Sequence, residues 1–295
     1  MNGRAWLEPK ALPLTGCRFC CRLTPYRSIE YKVAGWKLAP DGKHLTFTDG
    51  LGIGTLRLVG TRSIETFPRS QIKRVRLVRR ADGYYCQFGV DAKRTLVHVP
   101  TGKHVGIDLG LLAFYTDSDG NVAKNPRYYR KAEKKLGTLT QRLQRKVKGS
   151  KNRDKARKRL GKQHLKVQRQ REDQARKLAC ALVTSHDLIA YEDLQVRTMV
   201  KNHHLAKSIS DAGWALFLQW VRYYAALQGI ECIAGPPAYT SQACSGCGEL
   251  VKKSLSVRTH RCLHCGLVLD RDENAALNIL HEAHRNRILG HRKTG

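Results

Sequence analysis

The sequence has no run of 18 or more apolar residues, so nothing in it reads as a membrane-spanning helix. Its start lacks a charged-then-apolar leader, so export is not expected and the cytoplasm is. It is also poor in acids. Only 24 Asp and Glu stand against 54 Lys and Arg, a formal charge of +30. That imbalance works against a compact chain unless a polyanion is bound. Nucleic acid is therefore the expected partner, and a membrane is not. The 295 residues allow a sizeable core and one to two domains. Ten cysteines could mean disulfides, but four of them form two C-x2-C pairs. Without a leader, that pattern favours a reducing compartment and a metal.

Residues 1–27 resist reading. Cys17, Cys20 and Cys21 crowd together without further ligands and are expected to be free thiols. From Tyr31 to His98 the chain alternates and turns. A turn is expected at Pro40-Asp41-Gly42, and an Asp-Gly hairpin at Ala81-Asp82-Gly83. This reads as a small β-rich domain over residues 28–100, with basic residues facing outward.

Val105 and Ile107 sit in an apolar strand that Asp108 interrupts. A turn at Asp119-Gly120 suggests a strand pairing back. Residues 124–182 read as a basic helical hairpin broken at 148–154, with an apolar stripe of Leu143, Val147, Leu160, Leu165 and Val167. Between Gln141 and Gln170 there are 13 Lys and Arg and one acid, Asp154. A charge run usually marks only a solvated face. Thirteen against one favours phosphate contacts, with Arg142, Arg145, Lys146, Lys148, Lys151, Arg153, Lys155, Arg157, Lys158 and Arg159 as the expected nucleic-acid-binding residues. Residues 187–196 read as a second apolar strand carrying Glu192, 208–230 as one helix, 231–239 as a strand, and 269–280 as a helix.

Cys244-x2-Cys247 and Cys262-x2-Cys265 are 14 residues apart, with Gly246, Gly248 and Gly266 beside them. Four thiolates so spaced fit a structural Zn²⁺ with no open position. His260 and His264 could substitute as ligands, but two full cysteine pairs make that unnecessary. At the following helix, Asp270 reads as a cap, and Asp272 has a second possibility. Asp108, Glu192 and Asp272 come from two strands and a helix start. Three converging carboxylates repel each other and need cations; Mg²⁺ takes oxygen ligands and keeps water for a substrate phosphate. Two such ions support phosphodiester hydrolysis.

The stretches "GIDLG", "IAYEDL" and "DRDENAALNI" resemble the three motifs of a RuvC nuclease domain, an RNase H-like fold. With "SISDAGW", "YTSQACSGCG" and "HRCLHCG" between them, residues 25–280 resemble TnpB, the OrfB-type proteins of insertion sequences and relatives of type V CRISPR effectors. The resemblance implies an α/β RuvC-like domain at 101–239 and 267–295. It further implies a zinc ribbon inserted at 240–266, a basic helical hairpin, and a partial wedge-like β-domain in front. It implies a transposase-class, RNA-guided DNA endonuclease. Asp108, Glu192 and Asp272 would be catalytic and hold Mg²⁺, and Cys244, Cys247, Cys262 and Cys265 would hold zinc. DNA and a guide RNA from the transposon end are the implied partners, in a bacterial or archaeal cytoplasm at the nucleoid. Family members have a longer N-terminal region with a helical recognition insert, so a shortened chain is expected to lack much of the part that reads the target-adjacent motif. Three rivals stand beside this reading: a nuclease-inactive nucleic-acid-binding protein, a strand-joining transposase, and an inert relic.

Overall fold

A computed structural model of the chain describes residues 4–7, 10–13, 28–50, 52–60, 64–92, 97–236, 240–254 and 256–292. The Cys17, Cys20 and Cys21 cluster lies outside them. Contacts divide the chain into two compact units, Met1–Arg94 with Thr138–Leu165, and Thr95–Gly137 with Lys166–Gly295.

The first unit holds an eight-stranded sheet. Its strands are β1 (Arg4–Leu7), β2 (Lys10–Pro13), β3 (Ser28–Lys32), β4 (Trp36–Leu38), β5 (His44–Phe47), β6 (Thr55–Val59), β7 (Ile72–Arg80) and β8 (Gly83–Asp91). The order is β3-β7-β8-β2-β6-β5-β4, with β1 also on β8. The long β7–β8 pair turns at the Asp-Gly site, where Arg80 pairs with Gly83. Val75 and Leu77 point inward from β7, and Cys86, Phe88 and Val90 from β8, onto a core shared with Trp36 and Leu45. Alternation at period two does this sorting, leaving Arg74 and Arg76 on the outer face beside Glu30.

The basic hairpin consists of α1 (Tyr128–Gln144) and α2 (Lys151–Ser185). Its break falls at 145–150, earlier than the expected 148–154. Ser150 explains the boundary: its hydroxyl accepts the Arg153 amide at 3.1 Å and caps α2. Leu165 and Val167 are buried, as the stripe requires, but Val147 is 77% exposed because it sits in the connection rather than on a helix face.

In the second unit β9 (His104–Leu109), β10 (Ala113–Asp117), β11 (Val122–Lys124), β12 (Leu188–Glu192) and β13 (Glu231–Gly235) form a mixed sheet in the order β11-β10-β9-β12-β13. β9, β10 and β11 are antiparallel; β12 runs parallel to both β9 and β13. Two short turns make the antiparallel part. The one at Asp119-Gly120 joins β10 to β11, and β10 has already turned back from β9 before it.

The remaining helices are α3 (Val196–Met199), α4 (His203–Ala212), α5 (Trp214–Gln228) and α6 (Arg271–Arg292). The helix expected at 208–230 is two helices. Gly213 adopts φ 72°, a left-handed conformation that ends α4 and that glycine adopts without strain. The break frees Asp211, buried at the end of α4. Its carboxylate accepts the Tyr129 and Arg130 amides at 2.8 and 3.0 Å and an Arg171 N–H at 2.9 Å. It thereby caps α1 from outside.

Helices cover both sheet faces. Val105, Ile107 and Leu109 of β9 and Ile189 and Tyr191 of β12 point to one face, into a core with α2, α4 and α5. Leu188 and Ala190 point to the other, against Ile279 and Ala283 of α6. Strand β12 is buried along its whole length, which is why it reads as continuously apolar. Helix α6 comes so close to β9 that a Cβ on Gly106 would lie 2.1 Å from the Ala276 carbonyl oxygen. The obstacle is backbone and cannot rotate away. Gly106→Ala is expected to cost about 3 kcal/mol or more, at or above the usual range for overpacking. Thermal unfolding reads this as a fall in Tm of about 5 °C or more; an unchanged Tm contradicts the packing.

Candidate metal centre and active site

Each cysteine pair folds into the same knuckle. The Cys244 amide donates to Glu249 O at 2.9 Å, and the Gly248 amide donates back to Cys244 O at 2.8 Å. The second knuckle repeats this with Cys262 to Leu267 O at 2.9 Å and Gly266 to Cys262 O at 3.0 Å. Gly248 and Gly266 hold φ 83° and 77°, the left-handed turn each knuckle needs. All four Sγ atoms lie within 4.8 Å of one another, with Cys244–Cys265 and Cys247–Cys262 both at 3.6 Å. A tetrahedral Zn²⁺ at about 2.3 Å from each sulfur requires S···S near 3.8 Å. A disulfide needs about 2.05 Å. The geometry therefore fits zinc and excludes disulfides among these four. Amides of Cys265 and His264 draw the Cys262 thiol down while neighbouring thiols push Cys247 and Cys265 up, as expected when packed thiols compete for one negative charge.

Neither histidine is needed as a ligand. His260 is fully buried, and its Nδ1 lies 2.6 Å from the Lys253 amine. His264 is exposed at the knuckle tip. The short strands β14 (Thr259–Arg261) and β15 (Val268–Asp270) flank the second knuckle and pair antiparallel, Thr259 beside Asp270 and Arg261 beside Val268.

The three acids share one side of the sheet. The parallel register sets Ala190 beside Gly106 and Tyr191 beside Ile107. Ile107 and Tyr191 face the α2–α5 core, so Asp108 and Glu192, one residue further on, face α6. Asp272 lies in the first turn of α6. Asp270 caps that helix, accepting the Asp272 and Glu273 amides at 2.8 and 3.4 Å, which leaves the Asp272 carboxylate for other work. Burial first, and then the charges of Glu192 and Asp272, push Asp108 up to about 7 against the opposing charges of Arg271 and Arg258. Burial also raises Glu192, opposed by a hydrogen bond from the Thr240 hydroxyl. Asp108 thus feels the charges of both other carboxylates. They are spread more widely than the sulfurs: among the described residues, the four cysteines are the only set of metal-ligating side chains within 4.8 Å.

Residues that sequence reasoning missed surround the acids. Arg258, from the ribbon, places Nη1 3.3 Å from Asp272 Oδ1. The half-buried Lys253 has its ammonium disfavoured by burial and by Arg271, and favoured by Asp270 and Asp272. Nothing in the local sequence around Arg258 or Lys253 distinguishes them from the other basic residues. Of the ten expected nucleic-acid contacts, nine are exposed. Arg153 differs: its guanidinium donates to Leu143 O and Lys146 O at 3.2 and 2.8 Å and holds the hairpin connection. Arg157 is ion-paired with Asp154 at 2.6 Å but remains mostly exposed.

Two family models match the chain. OrfB_IS605, described as "Probable transposase", covers residues 87–203, and the "Cas12f1-like, TNB domain" covers residues 214–279. The first spans Asp108 and Glu192; the second spans the four cysteines and Asp272. A Streptomyces pristinaespiralis protein named "Putative RNA-guided DNA endonuclease" is 38% identical over 61% of this chain and 45% of its own length. The Escherichia coli K12 "Putative RNA-guided DNA endonuclease InsQ" is 33% identical over 72% of this chain and 57% of its own. A solved structure titled "Cryo-EM structure of the Cas12f1-sgRNA-target DNA complex" overlaps 86% of this chain and 66% of its own, at 15% identity and a TM-score of 0.44. Over residues 87–203 the chain is similar to the OrfB transposases. Together, the sequence matches support a TnpB-type protein. The chain spans about half the length of these curated relatives. No helix among the described residues is long and apolar enough to cross a membrane.

Proposed function

We propose that this chain is a transposon-encoded, RNA-guided DNA endonuclease of RuvC type that hydrolyses phosphodiesters with Mg²⁺. The observation that carries the reading is the convergence of Asp108, Glu192 and Asp272 on the α6 side of the mixed sheet, with Asp108 pushed up to about 7 by burial and its acidic neighbours. Carboxylates so placed are costly unless cations neutralise them. Their spread suits Mg²⁺ ions that retain water and bind substrate phosphate, more than a closed inner shell. Bound there, Mg²⁺ would activate water and neutralise the leaving oxygen. The strand order and the two strand-borne acids support an RNase H-like reading of residues 101–239 and 267–295, with 28–100 as a wedge-like β-domain and 240–266 as the core of the ribbon.

The chain's own residues would divide the work. Asp108 and Glu192 hold ligand oxygens from rigid neighbouring strands. Asp272 supplies the third carboxylate from a helix start, and Arg258 fixes its orientation. The ribbon zinc has four thiolate ligands and no free position, so its role is structural. The exposed lysines and arginines of the hairpin would grip phosphates, while a guide RNA from the transposon end would supply sequence by base pairing. The cytoplasm near the nucleoid is the matching location, and transposition and DNA recombination the matching process.

Cleavage of labelled DNA by the purified chain, with and without Mg²⁺, tests the chemistry. The grip has its own test. Replacing Arg157, Lys158 and Arg159 together by alanine is expected to weaken nucleic-acid binding regardless of sequence. It should reduce the slope of log K against log salt by about 2–3. An unchanged slope removes these residues from the interface.

A further inference from the structure

The sequence stretch Thr240–Ser245 carries one zinc ligand, Cys244, and lies between the zinc centre and Glu192. Four hydrogen bonds from two side chains hold it. The Asn274 amide nitrogen donates to Ala243 O at 2.8 Å, and its side-chain oxygen accepts the Ser245 amide at 3.0 Å. The Asn278 amide nitrogen donates to Thr240 O and to Ala243 O, both at 2.8 Å. Asn274 is completely buried, so this is a built contact rather than a surface one. Asn274 and Asn278 are four residues apart, on one face of α6, the helix whose first turn carries Asp272.

Thr240 then reaches across to the sheet. Its hydroxyl donates to Glu192 Oε1. A threonine side chain is stiff at χ1, and here its backbone is fixed by Asn278. The bond therefore constrains the Glu192 carboxylate in rotation. It occupies part of one oxygen's acceptor capacity and leaves Oε2 and the remaining lone pairs available.

We propose that Thr240 is a positioning residue: pinned to α6 by Asn278, it orients the Glu192 carboxylate for the divalent cation and ties that orientation to the helix carrying Asp272. The inference rests on the reading of Glu192 as a Mg²⁺ ligand. It adds that the approach to the zinc ribbon is the device that aligns the second acid with the third. Outer partners of metal-ligating carboxylates commonly change metal affinity 10–100-fold when removed.

The test uses the full, zinc-loaded chain and Mn²⁺ as the probe, followed by calorimetry and by the metal-induced shift in Tm. Wild type, Thr240→Val, Thr240→Ser and Glu192→Gln are compared. Thr240→Val keeps the shape and removes the donor. It should bind Mn²⁺ at least 10-fold more weakly, with zinc content and metal-free Tm unchanged. Thr240→Ser, which restores the donor, should return to within about threefold of wild type, where a packing role for the threonine methyl would leave it impaired. If Glu192→Gln loses Mn²⁺ but Thr240→Val binds it like wild type, the positioning role is overturned and the assignment of Glu192 stands. If Thr240→Val loses zinc or metal-free stability and Thr240→Ser does not restore Mn²⁺ affinity, the residue is structural and the proposal is overturned. If Glu192→Gln binds Mn²⁺ like wild type, the ligand assignment fails and the positioning role falls with it.

Discussion

Asp108→Asn is expected to abolish DNA cleavage, by 10³-fold or more, while raising the stability of the metal-free chain at pH 8. The two effects share one cause. The carboxylate that would bind Mg²⁺ is held among Glu192 and Asp272 on the α6 side of β9, and burial together with these neighbours pushes it from 3.8 up to about 7. A group whose folded pKa is raised stabilises the fold below its unfolded pKa, and that contribution is lost as pH rises through the folded value. For Asp108 the window runs from about 4 to about 7. Above it the ionised carboxylate destabilises the metal-free chain, by at most about 4 kcal/mol for a shift near three units. Asparagine carries no charge to desolvate. The variant should therefore melt several degrees higher than wild type at pH 8 and nearly the same at pH 4. Added Mg²⁺ should raise the wild-type Tm at pH 8 and leave the variant unchanged. A variant that cuts like wild type removes Asp108 from the chemistry. A variant less stable than wild type at pH 8 shows that the carboxylate is held by partners rather than strained by neighbours.

Cys262→Ser should release the zinc and unfold the ribbon. Among the described residues from 240 to 270, only Cys244, His260 and Cys262 are buried. The ribbon therefore has no apolar core of its own, and a metal held by the four thiolates would substitute for one. Structural zinc contributes about 10–16 kcal/mol in zinc-finger peptides, far more than two short strands and a few turn hydrogen bonds. The consequences should reach the acids. Arg258 and Thr240 would lose their fixed positions beside Asp272 and Glu192, so cleavage should vanish with the zinc even though all three carboxylates are intact. The core of the first unit contains no ribbon residue and should persist. Elemental analysis and hydrogen exchange together read the result. Zinc content equal to wild type contradicts the ligand assignment.

What could be read from the sequence and what could not follows a physical division. The knuckles were legible because C-x2-C with adjacent glycines is a local chemical statement. Asp108 and Glu192 stood out because acids at the ends of apolar strands are costly and need a reason. The β7–β8 hairpin followed from Asp-Gly and alternation. The helix break at Gly213 was hidden by an apolar pattern that continues through it, and only the left-handed backbone reveals it. Val147 fits a helical period but falls in the connection, where period has no meaning. Arg153 looks like one more phosphate contact, yet its guanidinium is held by two backbone carbonyls. Thr240, Arg258 and Asn278 are ordinary residues in ordinary surroundings. Their roles arise from contacts 48, 14 and 38 positions away in sequence, which no local pattern encodes.

The central claim is that the three carboxylates catalyse phosphodiester hydrolysis under RNA guidance. The most direct measurement is cleavage of a labelled duplex by the purified zinc-loaded chain with Mg²⁺ and RNA transcribed from the transposon end, beside the same reaction without RNA and with Asp108→Ala. Wild type is expected to cut with Mg²⁺ and RNA, Asp108→Ala is expected not to cut, and both are expected to bind nucleic acid. Equal cutting by Asp108→Ala, or no cutting by a folded, zinc-loaded wild type that binds the RNA and the DNA, contradicts that claim.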